Sequence, residues 1–297
     1  MKIGVVGLGR MGMAIVHRLF KDGHEVVCFD PNTDATQEAS RSGARVVNHL
    51  EMIPQEARSI WIMVPAGKAV DEVISSCKPY LQKGDIIIDG GNSHFPDSIR
   101  RSEELLKDGI HFLDCGVSGG LKGKEFGFSL MIGGDKKAYE TAEPLFKSLA
   151  APGGYAHLGK SGAGHYVKMV HNGIEYALLQ SYAEGFHLLR EGRYKDLDLA
   201  KVAAVWGQGS VIRSWIVDLC QDIFIHDQHL KNVTGEIEEN LTGRWTLEEA
   251  EEQKIPVKLI QEALEMRSWS RKTGGNFGTK VVALLRNAFG GHHVGKK

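Results

Sequence analysis

A chain of 297 residues, 42% of them hydrophobic, is long enough for two domains with apolar cores of their own. Its 36 basic and 37 acidic residues give a net charge of -1, so nothing indicates nucleic acid or an anionic membrane as a partner. Its first apolar run, residues 3–8, is too short for a signal peptide, and no segment approaches the roughly 20 apolar residues of a membrane span, so we expect a cytoplasmic protein.

The first thirty residues follow the order strand, glycine loop, helix, strand and terminal acid. A lone GxGxxG pattern is a weak indication, but in this order it is typical of a dinucleotide-binding fold. The glycines allow the backbone to approach a pyrophosphate, whose charge lies at the helix N-terminus. We therefore predict that the cofactor is bound by the loop residues Gly7, Leu8, Gly9, Arg10, Met11 and Gly12.

Asp30 ends the second predicted strand and bears on the choice of cofactor. It lies 18 residues beyond Gly12, near the spacing at which a carboxylate meets the adenine ribose. A carboxylate there accepts a hydrogen bond from a free 2′-hydroxyl and repels a 2′-phosphate, so it favours NAD over NADP. The alternative is an ordinary surface aspartate that follows a strand.

Short apolar runs then alternate with helical segments up to about residue 160. Strands are predicted over residues 59–64, 85–89 and 111–114, with helices near 67–77 and 97–107 and closing strands at 128–133 and 156–158. This alternation predicts an α/β fold, a Rossmann-type doubly wound parallel sheet. Because ligands gather beyond the carboxyl ends of such strands, the Gly7 loop should share one edge with Val64, Pro65, Ala66, Asn92, Ser118, Gly119 and Gly120. Of these, Val64, Pro65, Ala66 and Asn92 are predicted to bind the cofactor.

From residue 163 onward, helical periodicity replaces the strand pattern. We predict an NAD-binding domain over residues 1–162 and an all-helical domain with a C-terminal tail over residues 163–297. Its helices are expected near residues 163–189, 198–208, 213–222, 247–252 and 257–269.

A row of polar residues recurs at helical spacing in the first of these helices. Lys168, His171, Asn172 and Glu175 stand at i, i+3, i+4 and i+7, along one helix face. Apolar neighbours could dehydrate this row, and a dehydrated lysine can lose its proton near neutral pH whereas a dehydrated glutamate can keep one. The row is therefore a candidate general base and general acid, the alternative being a solvated face with an ordinary Glu/Lys pair.

Four motifs together, GLGRMG, GGNS, GVSGG and KMVHNGIEY, resemble those of the decarboxylating 6-phosphogluconate dehydrogenases in their short form. KMVHNGIEY is the most specific, because the first and third motifs also occur in 3-hydroxyisobutyrate dehydrogenases. The resemblance implies oxidation of 6-phosphogluconate at C3, loss of C1 as carbon dioxide and release of ribulose 5-phosphate. It also implies that Lys168 takes the 3-hydroxyl proton during hydride transfer and that Glu175 protonates the enediol carbon.

The same resemblance implies a substrate site with two ends. The carboxylate and hydroxyl groups would be bound by Asn92, Ser118, Gly119, Gly120, His171 and Asn172. The phosphate would be bound by Tyr176, Thr242, Arg267, Arg286 and His292, the last two within RNAFGGH, which matches an RxxFGxH tail. Arginine suits a phosphate because its planar fork donates two hydrogen bonds at once, although a lone arginine is usually a solvated surface group.

Two positions depart from the pattern of the longer family members. Asn240 replaces a phosphate-binding lysine, so the set of residues that binds the phosphate, the phosphate clamp, is either weaker or rebuilt with Arg244. Asp30 replaces a turn of Asn-Arg-Thr type in members that use NADP. In the long members the tail reaches a neighbouring subunit, which here implies a homo-oligomer, a dimer or tetramer, with a shared active site.

No metal is expected, because a 3-keto acid decarboxylates readily once an acid hydrogen-bonds its carbonyl and because the histidines and cysteines form no ligand motif. Two rival functions remain open. A β-hydroxyacid dehydrogenase would oxidise a small acid without decarboxylation, although it has no use for a distant set of arginines. A nucleotide-binding regulatory protein would have lost catalysis, although Lys168 and Glu175 are intact.

Overall fold

The computed structural model describes residues 1–239 and 241–296. Contacts between Cα atoms divide the chain into two units, Met1–Met169 and Val170–Lys297. One long helix begins in the first unit and continues in the second. The domain boundary that we predict after residue 162 therefore stays a prediction.

The first unit is an eight-stranded sheet whose strands alternate with helices. Apolar residues of the strands and helices pack into two separate clusters. The strand order β3-β2-β1-β4-β5-β6-β7-β8 runs outward from β1 in both directions, which confirms the predicted doubly wound, Rossmann-type α/β fold. In chain order its elements are β1 (Lys2–Val6), α1 (Arg10–Lys21), β2 (Glu25–Phe29), α2 (Thr33–Arg41), β3 (Arg45–Val46), α3 (Ile53–Glu56), β4 (Ser59–Ile62), α4 (Lys68–Cys77), β5 (Ile86–Asp89), α5 (Phe95–Leu106), β6 (His111–Ser118), α6 (Gly123–Phe126), β7 (Phe128–Gly134), α7 (Lys136–Leu149) and β8 (Ala150–Gly159).

The sheet is parallel from β3 to β6, but β7 runs antiparallel to β6. The predicted parallel sheet is thus mostly parallel, with a reversal at β7. A parallel return needs a crossover of a dozen or more residues, and the segment 119–127 between β6 and β7 is shorter than that. The longer α7 then allows β8 to return parallel to β7.

Several elements differ from the sequence expectations in extent. Strand β8 begins at Ala150 rather than near residue 156, although it contains Pro152 and Gly153, because an edge strand tolerates residues that usually mark a turn. Helices α2 and α7 and strand β3 were not predicted. Helix α11 begins at Leu241 rather than near residue 247, despite Gly243 within its first turn.

The second unit is helical. Helix α8 starts in the first unit and continues into the second, where its residues Leu179 and Phe186 pack with Phe224 of α10 and Val281 of α13 in one apolar cluster. No helix among the described residues is both long and apolar enough to cross a membrane. The helices are α8 (Ala163–Glu191), α9 (Leu199–Gly207), α10 (Trp215–His226), α11 (Leu241–Glu252), α12 (Lys258–Thr273) and α13 (Phe277–Gly290), the last of which was not predicted.

Candidate active site

The carboxyl ends of the central strands of the first unit lie level with one another. Val6 of β1 pairs with Ile62 of β4, and Ile62 pairs with Asp89 of β5. The amide of Met63 donates to the Val6 carbonyl at 2.8 Å, and the amide of Gly90 donates to the Ile62 carbonyl at 2.9 Å. The segments that follow β1, β4 and β5 therefore emerge at one edge, as the sequence predicts.

The glycine loop after β1 is shaped by close backbone contacts. A Cβ atom on Gly7 would lie 2.4 Å from the Met63 carbonyl oxygen, and one on Gly12 would lie 1.9 Å from the Gly7 carbonyl oxygen. Gly7 also has a positive φ of 93°, which favours glycine. Gly9, by contrast, faces open space and is the N-cap of α1. These are the features that a closely approaching pyrophosphate requires.

A cavity of about 370 Å³ opens at this loop and at the N-terminus of α1. Two cationic residues, Arg10 and Lys124, line it. Together with the positive end of the α1 dipole they make the cavity suitable for an anionic cofactor group. Sequence reasoning missed Lys124 and Leu121, which reach the cavity from the segment after β6. The cavity is lined by Leu8, Gly9, Arg10, Met13, Ala14, Glu38, Leu121 and Lys124.

Asp30 lies at the end of β2, next to the glycine loop. Its Oδ2 accepts a hydrogen bond of 2.6 Å from the Leu8 amide, and its Oδ1 accepts one of 2.8 Å from the Asn32 amide. Each carboxylate oxygen keeps a second lone pair, so Asp30 can still accept a ribose hydroxyl. The carboxylate thus has a loop-fixing role that the sequence did not indicate, and its ribose contact stays a prediction.

Asn92 follows β5 and is bound to the end of β6. Its Nδ2 donates to the Val117 carbonyl at 3.3 Å and its Oδ1 accepts from the Val117 amide at 2.9 Å, while its own φ is 56°. One N–H and one lone pair of the amide group remain for a ligand. Ser118, the last residue of β6, is half-buried, and Gly119 and Gly120 turn the chain with φ of 125° and 54°.

The remaining predicted cofactor residues follow β4. Val64 is half-buried, whereas Pro65 and Ala66 are exposed and lead to Gly67, the N-cap of α4. Their position at the carboxyl edge of the sheet agrees with the prediction, and their contact with a cofactor stays a prediction.

Lys168 is 6% exposed and lies in the second turn of α8. A Cβ atom on Gly116 of β6 would come within 2.4 Å of the Lys168 Cβ atom, so only glycine at residue 116 lets the lysine pack this closely against the strand. Lys168 is therefore not on a solvated face, whereas His171, Asn172 and Glu175 are half-buried, and the roles of base and acid stay predictions.

A buried carboxylate holds the N-terminal turn of the helix that carries Lys168. Asp114, which is fully buried, accepts hydrogen bonds from the amides of Gly162 at 2.7 Å and His165 at 2.9 Å. The ring of His165, also buried, is hydrogen-bonded to the Ser98 hydroxyl of α5 at 2.8 Å. A negative charge at a helix N-terminus is stabilising, so Asp114 holds the first turn of α8, which Ser98 contacts through the His165 ring. Sequence reasoning missed Asp114, although an aspartate within an apolar strand requires buried partners.

In the second unit, a hydrogen-bonded group connects α8 to α11. The Thr242 hydroxyl is hydrogen-bonded to the Tyr176 hydroxyl at 3.1 Å and to Asn172 Nδ2 at 3.3 Å. His171 Nδ1 lies 3.2 Å from Asn172 Oδ1, and Glu175 is half-buried. The structure therefore brings together four of the predicted substrate residues.

Tyr176 is covered by α11 and by an arginine of α12. A Cβ atom on Gly243 would lie 2.5 Å from the Tyr176 ring, which explains why α11 contains a glycine in its first turn. The guanidinium carbon of Arg267 lies 3.6 Å from the centre of the same ring. A cation at this distance is attracted to the face of an aromatic ring.

Arg267 is buried with two unsatisfied nitrogen atoms. It is 2% exposed, and neither Nη1 nor Nη2 has a hydrogen-bond partner. Burial, more than any other influence, lowers the pKa of Arg267 to about 10, with a smaller contribution from the charge of Arg286. Arg286 of α13 is 3% exposed, and burial likewise lowers its pKa. A buried charge without hydrogen-bond partners costs several kcal/mol, so the Arg267 guanidinium is suited to binding an anion.

The remaining parts of the predicted phosphate site are the tail and the segment around Asn240. His292 is half-buried, its ring lies edge-on to Phe289 at 6.3 Å, and the tail continues to Gly295, whose carbonyl accepts from the Thr234 amide of the same chain at 2.8 Å. Arg244 is exposed and paired with Glu239 at 2.9 Å. Asn240 lies outside the described residues.

The described residues contain no group of three or more His, Cys, Asp or Glu side chains that could hold a metal ion. The four cysteines are buried free thiols.

Comparison with protein families matches both parts of the chain to one family. Residues 2–167 match the family described as the NAD binding domain of 6-phosphogluconate dehydrogenase, which confirms the predicted class of cofactor. Residues 164–287 match the 6-phosphogluconate dehydrogenase C-terminal domain. A Haloferax volcanii protein, named 6-phosphogluconate dehydrogenase, NAD(+)-dependent, decarboxylating, is 47% identical over 100% of this chain and 99% of its own length.

Two solved structures are similar to the chain. Plasmodium falciparum 6-phosphogluconate dehydrogenase is 30% identical, with a TM-score of 0.80 over 91% of this chain and 62% of that one. Mycobacterium tuberculosis 3-hydroxyisobutyrate dehydrogenase is 22% identical, with a TM-score of 0.75 over 96% of this chain and 99% of that one, and this likeness shows the fold alone. The chain thus spans almost the whole Haloferax relative but less than two thirds of the Plasmodium protein.

Proposed function

Because the chain belongs to the 6-phosphogluconate dehydrogenase family, we propose that it oxidises and decarboxylates 6-phosphogluconate to ribulose 5-phosphate and carbon dioxide, with reduction of NAD. The structural observation that carries this proposal is the buried guanidinium of Arg267, which is stacked on Tyr176 and has two nitrogen atoms without partners. A small unphosphorylated acid carries only its carboxylate, which this proposal places with other residues. 6-Phosphogluconate carries a second anionic group, its phosphate, which can pair with the guanidinium.

The chemistry needs a base, an acid and a hydride acceptor. NAD, when bound, accepts the hydride from C3. Lys168 takes the proton of the 3-hydroxyl group and then returns it to the keto oxygen, while the electrons of the breaking C1–C2 bond form the enediol and C1 leaves as carbon dioxide. Glu175 protonates the carbon that C1 has left while Lys168 takes the proton back from the hydroxyl group at C3, which gives the ketone of ribulose 5-phosphate. Proton transfer by positioned side chains contributes about 10²- to 10⁴-fold to a rate.

The other predicted residues bind and orient the substrate. In this proposal Asn92, Ser118, Gly119, Gly120, His171 and Asn172 bind its carboxylate and hydroxyl groups. Tyr176, Thr242, Arg267, Arg286 and His292 bind its phosphate, and the burial of the two arginines supports this assignment.

One assay tests the proposal against both rivals. Purified protein is incubated with NAD and 6-phosphogluconate while reduced cofactor and released carbon dioxide are measured together. Equal amounts of both products are expected. Reduced cofactor without carbon dioxide would indicate a β-hydroxyacid dehydrogenase, and no turnover with any hydroxy acid tested would indicate a protein without catalysis.

The preference for NAD is expected to depend on Asp30. The wild type should have a higher kcat/KM with NAD than with NADP, because the carboxylate repels a 2′-phosphate and like charges in contact cost several kcal/mol. Asp30→Ser should raise kcat/KM for NADP by about tenfold or more. It should also weaken NAD binding, because the Leu8 amide loses its acceptor. The exposed Asp34, changed to serine, is the control, and a wild type that prefers NADP would refute this role of Asp30.

We also propose that the active form is a homo-oligomer in the cytoplasm. Large exposed apolar side chains in the second unit, such as Leu188, Val205 and Ile225, support the first part, and the four free thiols support the second. Activity per subunit should fall on dilution to the point where sedimentation shows monomers, and a fully active monomer would contradict the oligomer. Sharing of the site is tested by mixing inactive Lys168→Met and His292→Ala chains. Recovered activity would mean that the tail serves a neighbour, whereas no recovery would follow if its contact with Thr234 keeps it in its own chain.

A further inference from the structure

One buried arginine connects two of the predicted binding segments of the first unit. Arg101 of α5 is 2% exposed, and each of its three guanidinium nitrogens donates to a different segment. Nε donates to Asp71 Oδ1 at 2.8 Å, Nη2 to the Gly67 carbonyl at 2.9 Å, and Nη1 to Asp89 Oδ2 at 3.4 Å. The guanidinium group of Arg101 therefore connects α4, the segment before α4 and the end of β5.

The Asp89 side of this network shapes the GGNS segment. Asp89 is fully buried, its Oδ1 accepts from the Gly91 amide at 2.9 Å, and its Oδ2 accepts from the Ser93 hydroxyl at 2.7 Å. These two bonds bracket Asn92, whose left-handed backbone and two bonds to Val117 give it one orientation. The carboxylate thus determines where Asn92 lies.

On the other side of the network, Gly67 directly follows residues 64–66, which are predicted to bind the cofactor. A Cβ atom on Gly91 would lie 2.6 Å from the Val64 carbonyl oxygen, so the two segments are in direct contact. Gly67 has a φ of 93° and caps α4. A displacement of Arg101 would therefore move the predicted cofactor segment relative to the predicted substrate segment.

A gain in the stability of the fold does not by itself account for such a network of buried charges. A buried ion pair is often no more stabilising than apolar residues of the same volume, because both charges lose their hydration. A guanidinium does, however, present its donors in one rigid plane, which a lysine cannot do. The network is therefore suited to holding Gly67, Asp71 and Asp89 in fixed positions relative to one another.

We propose that Arg101 is a positioning residue for the reaction, holding Gly67 and Asp89 in one plane and thereby aligning the cofactor segment 64–66 with Asn92. This role rests on the proposed function, since the two segments are binding segments only if that function holds. A misalignment of about 1 Å between reacting groups can cost about 100-fold in rate.

The test compares Arg101→Lys and Arg101→Met with the same changes at Arg100. Arg100 is the matched control because its side chain also donates to Asp71, at 2.9 Å, but is 44% exposed. Arg101→Met leaves the buried Asp89 carboxylate without its cation, so this variant can fail to fold. Arg101→Lys is therefore the variant that tests whether Arg101 is a positioning residue. Far-UV circular dichroism and Tm establish that each variant is folded.

Arg101→Lys is expected to lower kcat by about 10- to 100-fold. The deuterium isotope effect on kcat with C3-deuterated 6-phosphogluconate should increase, because hydride transfer becomes slower relative to the other steps. The Arg100 variants should stay within about twofold of the wild type. A folded Arg101→Lys enzyme with wild-type kcat and isotope effect, and only a lower Tm, would overturn the positioning role.

NAD affinity provides a readout that does not depend on the substrate. Calorimetry should show about two- to tenfold weaker NAD binding for Arg101→Lys than for Arg100→Lys, as expected for the loss of one hydrogen bond to the Gly67 segment. A wild type that binds NAD but does not turn over 6-phosphogluconate would refute the proposed function and with it this role in the reaction. Unchanged NAD affinity in Arg101→Lys would refute the positioning of the cofactor segment on its own.

Discussion

Changing Lys168 to methionine is expected to lower kcat by about 10²- to 10⁴-fold while NAD affinity stays nearly unchanged. Methionine lacks the amine but fills a similar volume, and the Lys168 stem packs closely against Gly116. The fold should therefore survive, whereas the base that removes the 3-hydroxyl proton is lost. Stopped-flow measurement of NADH formation with 6-phosphogluconate, beside titration of NAD binding, separates these two effects.

The matched control for this experiment is Lys160→Met. Lys160 is exposed and lies shortly before α8, so its replacement makes the same change of charge without touching a buried group. It should keep wild-type turnover. Retained hydride transfer in Lys168→Met would show that another group is the base.

Changing Arg267 to methionine is expected to lower kcat/KM for 6-phosphogluconate by about 100-fold or more. Each hydrogen bond to a charged group contributes about 1.5 to 3 kcal/mol, and Arg267 has two free nitrogens for a phosphate. The Tm without ligand should stay equal or rise, because an unpaired buried cation is removed. Steady-state kinetics and a thermal melt measure the two quantities.

Inorganic phosphate distinguishes an anion site from a structural arginine. Millimolar phosphate should raise the Tm of the wild type, because a ligand that binds only the folded state stabilises it, and this shift should disappear in Arg267→Met. Arg244→Met is the control, since Arg244 is exposed and already paired with Glu239. A loss of activity in Arg244→Met as large as that in Arg267→Met would mean that the clamp is rebuilt around Arg244.

The two rivals are now less well supported than the proposed function. The likeness to a 3-hydroxyisobutyrate dehydrogenase lies at 22% identity and shows the fold, whereas the family matches and the Haloferax relative cover the chain almost completely. The buried arginines add a physical reason, because a buried cation is costly and a small unphosphorylated acid has no second anion to pair with it.

Features that depend on neighbouring residues were predictable from the sequence. The glycine loop, the terminal Asp30 and the strands at β4 and β5 are local patterns of turn chemistry and apolar periodicity. The polar row that contains Lys168 and Glu175 follows from the helical repeat alone. The fold class and the candidate base and acid therefore did not require coordinates.

Features that depend on contacts between distant segments were not predictable from the sequence. The reversal of β7, the fixing of α8 by Asp114 and the bond from Asp30 to the Leu8 amide are not local patterns. The start of α11 is another case, because Gly243 is tolerated where the Tyr176 ring fills the space of its side chain.

The sequence by itself thus determined the fold class, the cofactor loop and the identity of the polar row, because short-range spacing encodes all three. Only the tertiary structure decided that Lys168 is buried, that Arg267 has no hydrogen-bond partner for two of its nitrogens, and that Arg101 is bonded to both Gly67 and Asp89. Burial and pairing depend on which distant segments pack together, and that packing sets whether a charged side chain is solvated or available for chemistry.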